Sequence, residues 1–160
     1  MRIISEIRTS EIPASMRLVE ATFREFIEKD FEAEGTGIFL GLLDVPKFSE
    51  RLANGNKAYV SKDDEEILGL IEIRNKSHIL LIFVKKEYQG QGIGRLLIGH
   101  FLENEKWNEG EVVTVNAAPG SSGFYRSLGF QETDEWKRTS GIKYQPMEMA
   151  FPGTKKGIPQ

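Results

Sequence analysis

Apolar residues recur along the chain at two spacings, which divide it into predicted strands and helices. The N-terminal stretch MRIISEIR alternates as a first strand, and the residues after it repeat apolar positions at helical spacing. Ser10 is the predicted N-cap of this first helix. Glycine and proline interrupt positions 31–56, so we predict a loop there with one short helix over Lys47–Ala53.

The second half of the chain is richer in strand patterns. Positions 57–86 predict three strands joined by the turns KDDEE and NKS, as in an antiparallel meander. A helix from Ile93, a strand over EVVTVN, a short helix after Pro119 and a last strand over Lys143–Phe151 follow. The pattern predicts an α/β fold with a mixed, mostly antiparallel central sheet flanked by helices. We expect one domain over 1–151 and a loose tail over 152–160.

Composition narrows the class of protein. A chain of 160 residues with 39% hydrophobic and 28% charged residues is typical of one globular domain. The chain has no cysteine, which removes disulfides, thiolate metal sites and cysteine nucleophiles, and we predict no metal. A net charge of −3 argues against nucleic acid as a partner. With no long apolar run and no apolar signal core, we expect no membrane partner and a cytoplasmic location.

A glycine-rich turn between strand and helix is the first candidate for chemistry. Three glycines in five positions precede apolar residues at helical spacing: Gly90, Gly92 and Gly94. Such a turn lets a ligand approach the backbone, and the amides of the following helix N-terminus attract phosphates. A dinucleotide fingerprint would need a further glycine at Arg95 or Leu97. A Walker-type loop would need lysine at Leu96, so both familiar phosphate motifs are excluded.

The pattern Gln89-x-x-Gly92-x-Gly94, shortly after a strand, resembles the pyrophosphate loop of the GNAT superfamily of acyl-CoA-dependent N-acyltransferases. A second stretch, VVTVNAAPGSSGFYRSLGF, is similar to the next strand and helix of that family, and the two cover roughly a quarter of the chain. The resemblance implies a GNAT-like fold and an N-acetyltransferase. It also implies acetyl-CoA as cosubstrate and direct attack by an amine in a ternary complex, without a covalent intermediate.

The resemblance also implies which residues bind CoA. The backbone from Gln89 to Arg95 would cradle the pyrophosphate, and the end of the preceding strand would pair with the pantetheine arm. Lys85 or Lys86 could add positive charge beside Arg95. The implied cofactor-binding residues are Ile82, Phe83, Val84, Gln89, Gly90, Gln91, Gly92, Ile93, Gly94, Arg95, Asn116 and Ser122. A simple N-cap is an equally good account of Ser122 or of its neighbour Ser121.

Three residues are candidates for proton transfer. Tyr125 matches the family tyrosine whose hydroxyl faces the departing sulfur, so it is the expected general acid. His78 is the candidate base, because it lies at an offset from the loop where the histone-modifying branch carries a glutamate. The period of two along a strand predicts that His78 shares a face with Val84. Glu72 on the preceding strand is the alternative base.

The sequence leaves the acceptor open among an amino acid, a polyamine, an aminoglycoside and a protein N-terminus or lysine. Six aromatic residues lie in segments that border the acceptor cleft of the family fold: Phe23, Phe26, Phe31, Phe39, Trp136 and Tyr144. Two other classes stay open, a CoA-binding sensor without turnover and an interaction protein whose glycine turn is only a turn. A homodimer is compatible with the sequence.

Overall fold

The structure is a computed structural model that describes residues 1–151, which form a single α/β domain. Its strands are β1 (Arg2–Glu6), β2 (Lys57–Asp63), β3 (Glu66–Arg74), β4 (His78–Val84), β5 (Glu111–Ala117), β6 (Gln131–Glu132), β7 (Lys137–Thr139) and β8 (Ile142–Phe151). Its helices are α1 (Ile12–Phe26), α2 (Ala33–Gly41), α3 (Val45–Ala53), α4 (Ile93–Glu103) and α5 (Ser122–Ser127). The tail predicted over 152–160 lies outside the described residues.

The strands within residues 1–151 form one open mixed sheet in the order β1-β2-β3-β4-β5-β8-β6, with β7 paired to β8. The pairs β1–β2, β2–β3 and β3–β4 are antiparallel, and β4–β5 is parallel. Because α4 lies between β4 and β5 in the chain, it forms the crossover that a parallel pair requires. The predicted fold class and the three-stranded meander are therefore confirmed.

Helices cover the sheet on both faces and give the domain two apolar clusters. One cluster joins the sheet to α4 and α5 and includes Ile71, Ile98, Phe101, Val113 and Phe130. The other joins the sheet to α1 and α3 and includes Val19, Phe48, Val60, Leu70 and Leu81. No helix within residues 1–151 is long and apolar enough to cross a membrane.

The first helix begins later than predicted. Ser10 lies in a 3-10 turn over Thr9–Glu11, and α1 starts at Ile12 with no side-chain cap. Glu11 instead pairs with the buried ammonium of Lys62, and its Oε1 accepts a hydrogen bond from the Arg8 amide at 2.9 Å. Burial acts to raise the pKa of Glu11, but these two donors outweigh it and hold the pKa below its ordinary value. Ser10 is therefore not the N-cap of α1, and the prediction was wrong by one residue.

The loop predicted before α3 is also wrong, because α2 lies within it. Gly35, in the first turn of this nine-residue helix, is buried against the turn of the β7–β8 hairpin (residues 137–144). The Glu32 amide donates to the Gly141 carbonyl oxygen at 2.9 Å, and a Cβ on Gly141 would lie 2.9 Å from the Gly35 nitrogen. Glycine disfavours a helix, but here it permits backbone contact that any side chain would block.

Candidate active site

The sheet opens in its interior between β4 and β5. The two strands pair at only two positions, His78 with Thr114 and Ile79 with Val115, and then diverge. Beyond these pairs, β4 continues to pair with β3 and β5 with β8, so the facing edges of β4 and β5 have no strand between them. This gap, here called the wedge, is lined by Ile79–Phe83 on one side and by Val115, Asn116, Ser121 and Tyr125 on the other.

A β-bulge in β4 sets which side chains face the wedge. Glu72 pairs with Leu81 and Ile73 with Ile79, so Leu80 is an extra residue without a partner on β3. Because a bulge reverses the alternation of side chains, His78 and Val84 lie on opposite faces of the sheet. Val84 packs in the cluster beneath α4, whereas His78 faces Thr114 on the other side. The prediction of a shared face was wrong for this reason.

The glycine turn leads directly into the N-terminus of α4. Gly90 and Gly92 have positive φ angles of 77° and 84°. Gly92 is the N-cap residue of α4 and, as a glycine, makes no side-chain hydrogen bond to the helix. A Cβ at either position would meet no protein atom within 4 Å. The Gln89 side chain closes the turn by donating to the Val84 carbonyl oxygen at 3.0 Å. The N-terminus of α4, where the first amides of a helix have no partner within the helix, therefore follows an open turn.

Gly94 has a different role from the other two glycines, since it lies inside the first turn of α4. A Cβ on Gly94 would lie 3.1 Å from the Phe124 ring. Phe124 in turn meets Tyr125 edge-on, with ring centroids 5.2 Å apart. Gly94 thus brings the start of α4 against α5, which carries Tyr125.

The charges around the turn differ from the sequence expectation. Lys85 pairs with Glu66 at 2.8 Å and Lys86 with Glu25 at 2.7 Å, so both lysines are held by carboxylates. A cation that the sequence did not single out lies nearby, because Arg2 of β1 donates to Gln91 Oε1 at 2.6 Å. Arg95 occupies the third position of α4.

Tyr125 lies on α5 with its ring buried and its hydroxyl at the cavity. Only 5% of the residue is exposed, its ring meets Phe130 edge-on at 5.5 Å, and it lines the wedge. Burial raises the pKa of the Tyr125 hydroxyl, so the group stays protonated well above neutral pH. The described residues provide no hydrogen bond to this hydroxyl, which leaves it available to a bound molecule.

The residues around Tyr125 contribute unequally to the wedge. Asn116 is exposed near the end of β5 and lines the wedge. Ser121 lines it too, although its hydroxyl donates to the Ala118 carbonyl oxygen at 2.7 Å. Ser122 is buried, and its hydroxyl donates to Gln145 Oε1 at 2.9 Å, so this side chain joins α5 to β8.

The two candidate bases have different surroundings. His78 is half-buried at the closed end of the wedge, and its Nδ1 lies 2.8 Å from Thr114 Oγ1. Burial, and then the positive charge of Arg74, lowers the pKa of His78, so the neutral imidazole predominates at neutral pH. Thr114, which the sequence did not single out, therefore fixes the orientation of the His78 ring.

Glu72 is fully buried beneath α3 and is not part of the cavity lining. Its Oε2 accepts from Arg51 Nε at 2.7 Å and from Asn56 Nδ2 at 2.8 Å, and its Oε1 accepts from Arg51 Nη2 at 3.0 Å. Both oxygens are thus occupied by donors from the chain itself.

The cavity extends beyond the wedge to α2 and the β7–β8 hairpin. The volume of the whole cavity, including the wedge, is about 460 Å³. Of the six aromatic residues that the sequence singled out, Phe31, Phe39 and Tyr144 line it. Phe23 is buried behind Phe39, and Phe26 and Trp136 are exposed outside the lining. Within residues 1–151, no three His, Asp or Glu side chains are grouped to hold a metal ion.

The site is thus a cavity between parting parallel strands, beside a glycine-capped helix N-terminus. A family model described as an acetyltransferase (GNAT) domain matches residues 27–151. The chain therefore belongs to the GNAT acetyltransferase family, whose cosubstrate is acetyl-CoA. No curated protein matches the sequence significantly.

Solved structures share the fold at low sequence identity. A GCN5-related N-acetyltransferase from Rhodopseudomonas palustris superposes with a TM-score of 0.74 at 16% identity, covering 94% of this chain and 96% of its own. The PaiA N-acetyltransferase from Thermoplasma acidophilum, solved in complex with coenzyme A, gives 0.73 at 14%, covering 94% and 99%. A GNAT-family acetyltransferase from Staphylococcus aureus gives 0.70 at 14%, covering 94% and 99%.

Proposed function

We propose that the protein transfers an acetyl group from acetyl-CoA to a primary amine by direct attack in a ternary complex. The observation that carries this proposal is the wedge, where the free edge of β4 and the Tyr125 hydroxyl line one cavity. The contact between Gly94 and Phe124 keeps the N-terminus of α4 close to the same place. In this proposal the N-terminus of α4 binds phosphate, the edge of β4 binds the pantetheine arm and Tyr125 donates a proton, all to the same acetyl-CoA molecule.

In this proposal the wedge holds the pantetheine arm and the glycine turn holds the pyrophosphate. Ile82 and Phe83 line the wedge, where the free edge of β4 can bond to the pantetheine amides as a neighbouring strand would. The amides from Gln89 to Arg95 bind phosphate oxygens at the positive end of α4. Asn116 adds a polar side chain on the opposite wall. The Ser122 hydroxyl donates to Gln145, so the structure gives no support to the predicted role of Ser122 in CoA binding.

The reaction needs one proton removed and one supplied. The neutral amine nitrogen attacks the thioester carbonyl carbon, forming the C–N bond, and the C–S bond breaks as the thiolate leaves. Tyr125 donates its proton to the sulfur, and His78 accepts the proton of the former amine through a water molecule. The phenolate regains its proton from solvent and the imidazolium releases one, so the sum of the reaction is N-acetyl amine and CoA thiol.

Geometry favours His78 over Glu72 as the base. His78 Nε2 makes no hydrogen bond within residues 1–151, while both Glu72 oxygens are held by Arg51 and Asn56. Neither residue is part of the cavity lining, but His78 adjoins Ile79, which lines the wedge, whereas Glu72 lies beneath α3. The lowered pKa of His78 keeps it in the proton-accepting form at neutral pH.

The glycine turn can be tested through CoA affinity. Gly92→Val should weaken CoA binding by roughly tenfold or more, because the added side chain occupies the approach of the phosphates and strains a left-handed residue. Gly110 is a matched control, since its φ is 88° and a Cβ there also meets no protein atom within 4 Å. Calorimetry should therefore show weakened binding in Gly92→Val and unchanged binding in Gly110→Val. Equal affinities in the two folded variants would contradict the loop assignment.

The base can be tested through the pH dependence of turnover. A base is inactive once it is protonated, and the lowered pKa of His78 moves its protonation to more acidic pH. We therefore expect kcat/KM, corrected for the fraction of neutral amine, to fall only below about pH 6.5. His78→Ala should lower the rate roughly 100-fold near neutral pH and abolish this acidic limb. An acidic limb that persists in His78→Ala at the same apparent pKa would transfer the role to Glu72 or to water.

Turnover separates this proposal from the other two classes. The full chain is incubated with acetyl-CoA and a panel of primary amines, and both free thiol and N-acetyl product are measured. CoA binding without product from any amine would identify a sensor, and absence of CoA binding would identify an interaction protein. The cytoplasmic location and the homodimer stay predictions.

A further inference from the structure

The part of the cavity beyond the wedge is apolar on the side of α2. Its lining there consists of Ile27, Phe31, Ile38, Phe39, Leu42 and Ile142. Phe39 stacks on the buried Phe23 with ring centroids 4.2 Å apart, and Phe31 meets Phe39 edge-on at 6.3 Å. A fixed set of aromatic faces and edges of this kind binds an apolar group on the ligand.

The charge of this lining has one sign. Among the residues described, the lining contains no aspartate or glutamate, and Lys143 is its one ionised side chain. The Lys143 ammonium lies 5.5 Å from the centroid of the exposed Trp136 ring and forms no ion pair within residues 1–151. A ligand carboxylate would therefore find a partner here, whereas a second ammonium would be repelled.

The β7–β8 hairpin adds a second, independent observation. Arg138 lies directly opposite Lys143 in the strand register. Like charges directly opposite each other destabilise a hairpin. Arg138 is held outside the cavity lining, where its Nη1 donates to the Asp30 carbonyl oxygen at 3.5 Å and lies 3.9 Å from Glu32 Oε1. Lys143 therefore has a cation and no carboxylate as its cross-strand partner, which suits an anionic group in the neighbouring cavity.

We infer that the amine acceptor is a free apolar amino acid. Its side chain contacts Phe31 and Phe39, and its carboxylate pairs with Lys143. The inference rests on the proposed acetyl transfer and names the substrate class. Polyamines and aminoglycosides carry several ammonium groups, which would meet no carboxylate in this lining. A simple apolar amine would fill the aromatic part and leave Lys143 without an anion.

Matched pairs of acceptors test the inference with the full chain. L-phenylalanine is compared with 2-phenylethylamine, and L-leucine with 3-methylbutylamine, so that each pair differs only in the carboxylate. Glycine tests the apolar part, and spermidine represents polycations. N-acetyl products are quantified by mass spectrometry at fixed acetyl-CoA, with rates corrected for the neutral amine fraction. We expect kcat/KM at least tenfold higher for each amino acid than for its amine, and lower values for glycine and spermidine.

The carboxylate partner is tested by substitution. Lys143→Gln should bring the phenylalanine to phenylethylamine ratio to within about threefold, since the ammonium that favours the acid is gone, and Lys143→Arg should retain the preference. Lys137 is a matched control on the same hairpin, because it pairs with Asp134 at 2.9 Å and is not in the lining. Lys137→Gln should leave the ratio at its wild-type value.

The outcomes distinguish this inference from the proposed function. Equal or better turnover of the simple amines, best turnover of spermidine, or an unchanged ratio in Lys143→Gln would overturn the amino-acid assignment and leave acetyl transfer intact. Acetyl-CoA binding with no product from any acceptor in the panel would also overturn it. Absence of acetyl-CoA binding would instead remove the proposed function itself.

Discussion

Tyr125→Phe should lose between tenfold and a thousandfold in maximal rate while its CoA affinity is retained. Phenylalanine keeps the ring between Phe124 and Phe130 and removes only the hydroxyl that faces the cavity. The loss should lie in the lower part of the range for an acid catalyst, because a thiolate of pKa about 8.5 is a moderate leaving group. The measurement is turnover at saturating acetyl-CoA, with CoA affinity and melting temperature determined on the same sample.

The pKa of Tyr125 adds a second criterion. Since burial raises this pKa, the wild-type acid should remain protonated and the rate should not fall between pH 7 and about pH 10 for want of a proton donor. Ser127→Ala is a control on the same short helix, because its hydroxyl donates to the Phe124 carbonyl away from the cavity lining. Wild-type turnover in Tyr125→Phe would reduce the residue to a core aromatic, and lost affinity with unchanged chemistry would make it a CoA contact.

Glu72→Ala should destabilise the fold by about 3 kcal/mol, because it removes one partner of a buried ion pair. Arg51 retains 19% side-chain exposure, so the loss lies at the lower end of the range for buried pairs. For a chain of this length the melting temperature should fall by about 10 °C, as measured by calorimetry. The surface pair of Glu25 with Lys86 is the control, and Glu25→Ala should leave the melting temperature nearly unchanged.

The same position separates a structural from a catalytic role. Glu72→Gln retains the shape of the side chain and one acceptor for Arg51 but cannot take up a proton at neutral pH. If Glu72 is structural, the folded Glu72→Gln protein should keep its turnover within a few-fold at a lowered melting temperature. Loss of turnover by about 100-fold or more in the folded variant would make Glu72 the base in place of His78.

The sequence revealed the elements with strong periodicity and missed those that depend on tertiary contacts. The meander, α4 and β5 follow from alternation and helical spacing, and the structure has them where the patterns placed them. Helix α2 was missed because Gly35 and Gly37 look like breakers, and the contact that makes Gly35 useful involves a residue about a hundred positions away. The short strands β6 and β7 were missed because two or three exposed residues carry no periodic signal.

The candidate site divides in the same way. The geometry of the glycine turn could be predicted because it depends on consecutive residues, and the place of Tyr125 could be predicted because it follows a local pattern. The roles of both stay predictions. The face of His78 was not readable, since an extra residue at Leu80 leaves no mark in composition. The pairing of Lys85 and Lys86 with distant glutamates, and the place of Lys143 at the cavity, depend on contacts across the sheet. Electrostatic partners of this kind can be identified only from the three-dimensional structure.

The contact between Gly35 and Gly141 has a consequence for how the acceptor pocket can be redesigned. Helix α2 and the β7–β8 hairpin, which both contribute side chains to the cavity lining, meet through backbone atoms at this point. Their spacing is therefore fixed without help from the side chains that line the cavity. Substitutions at Ile38, Phe39 or Lys143 can exchange the chemistry of the walls while the distance between them stays constant, so selectivity and architecture can be varied separately in this domain.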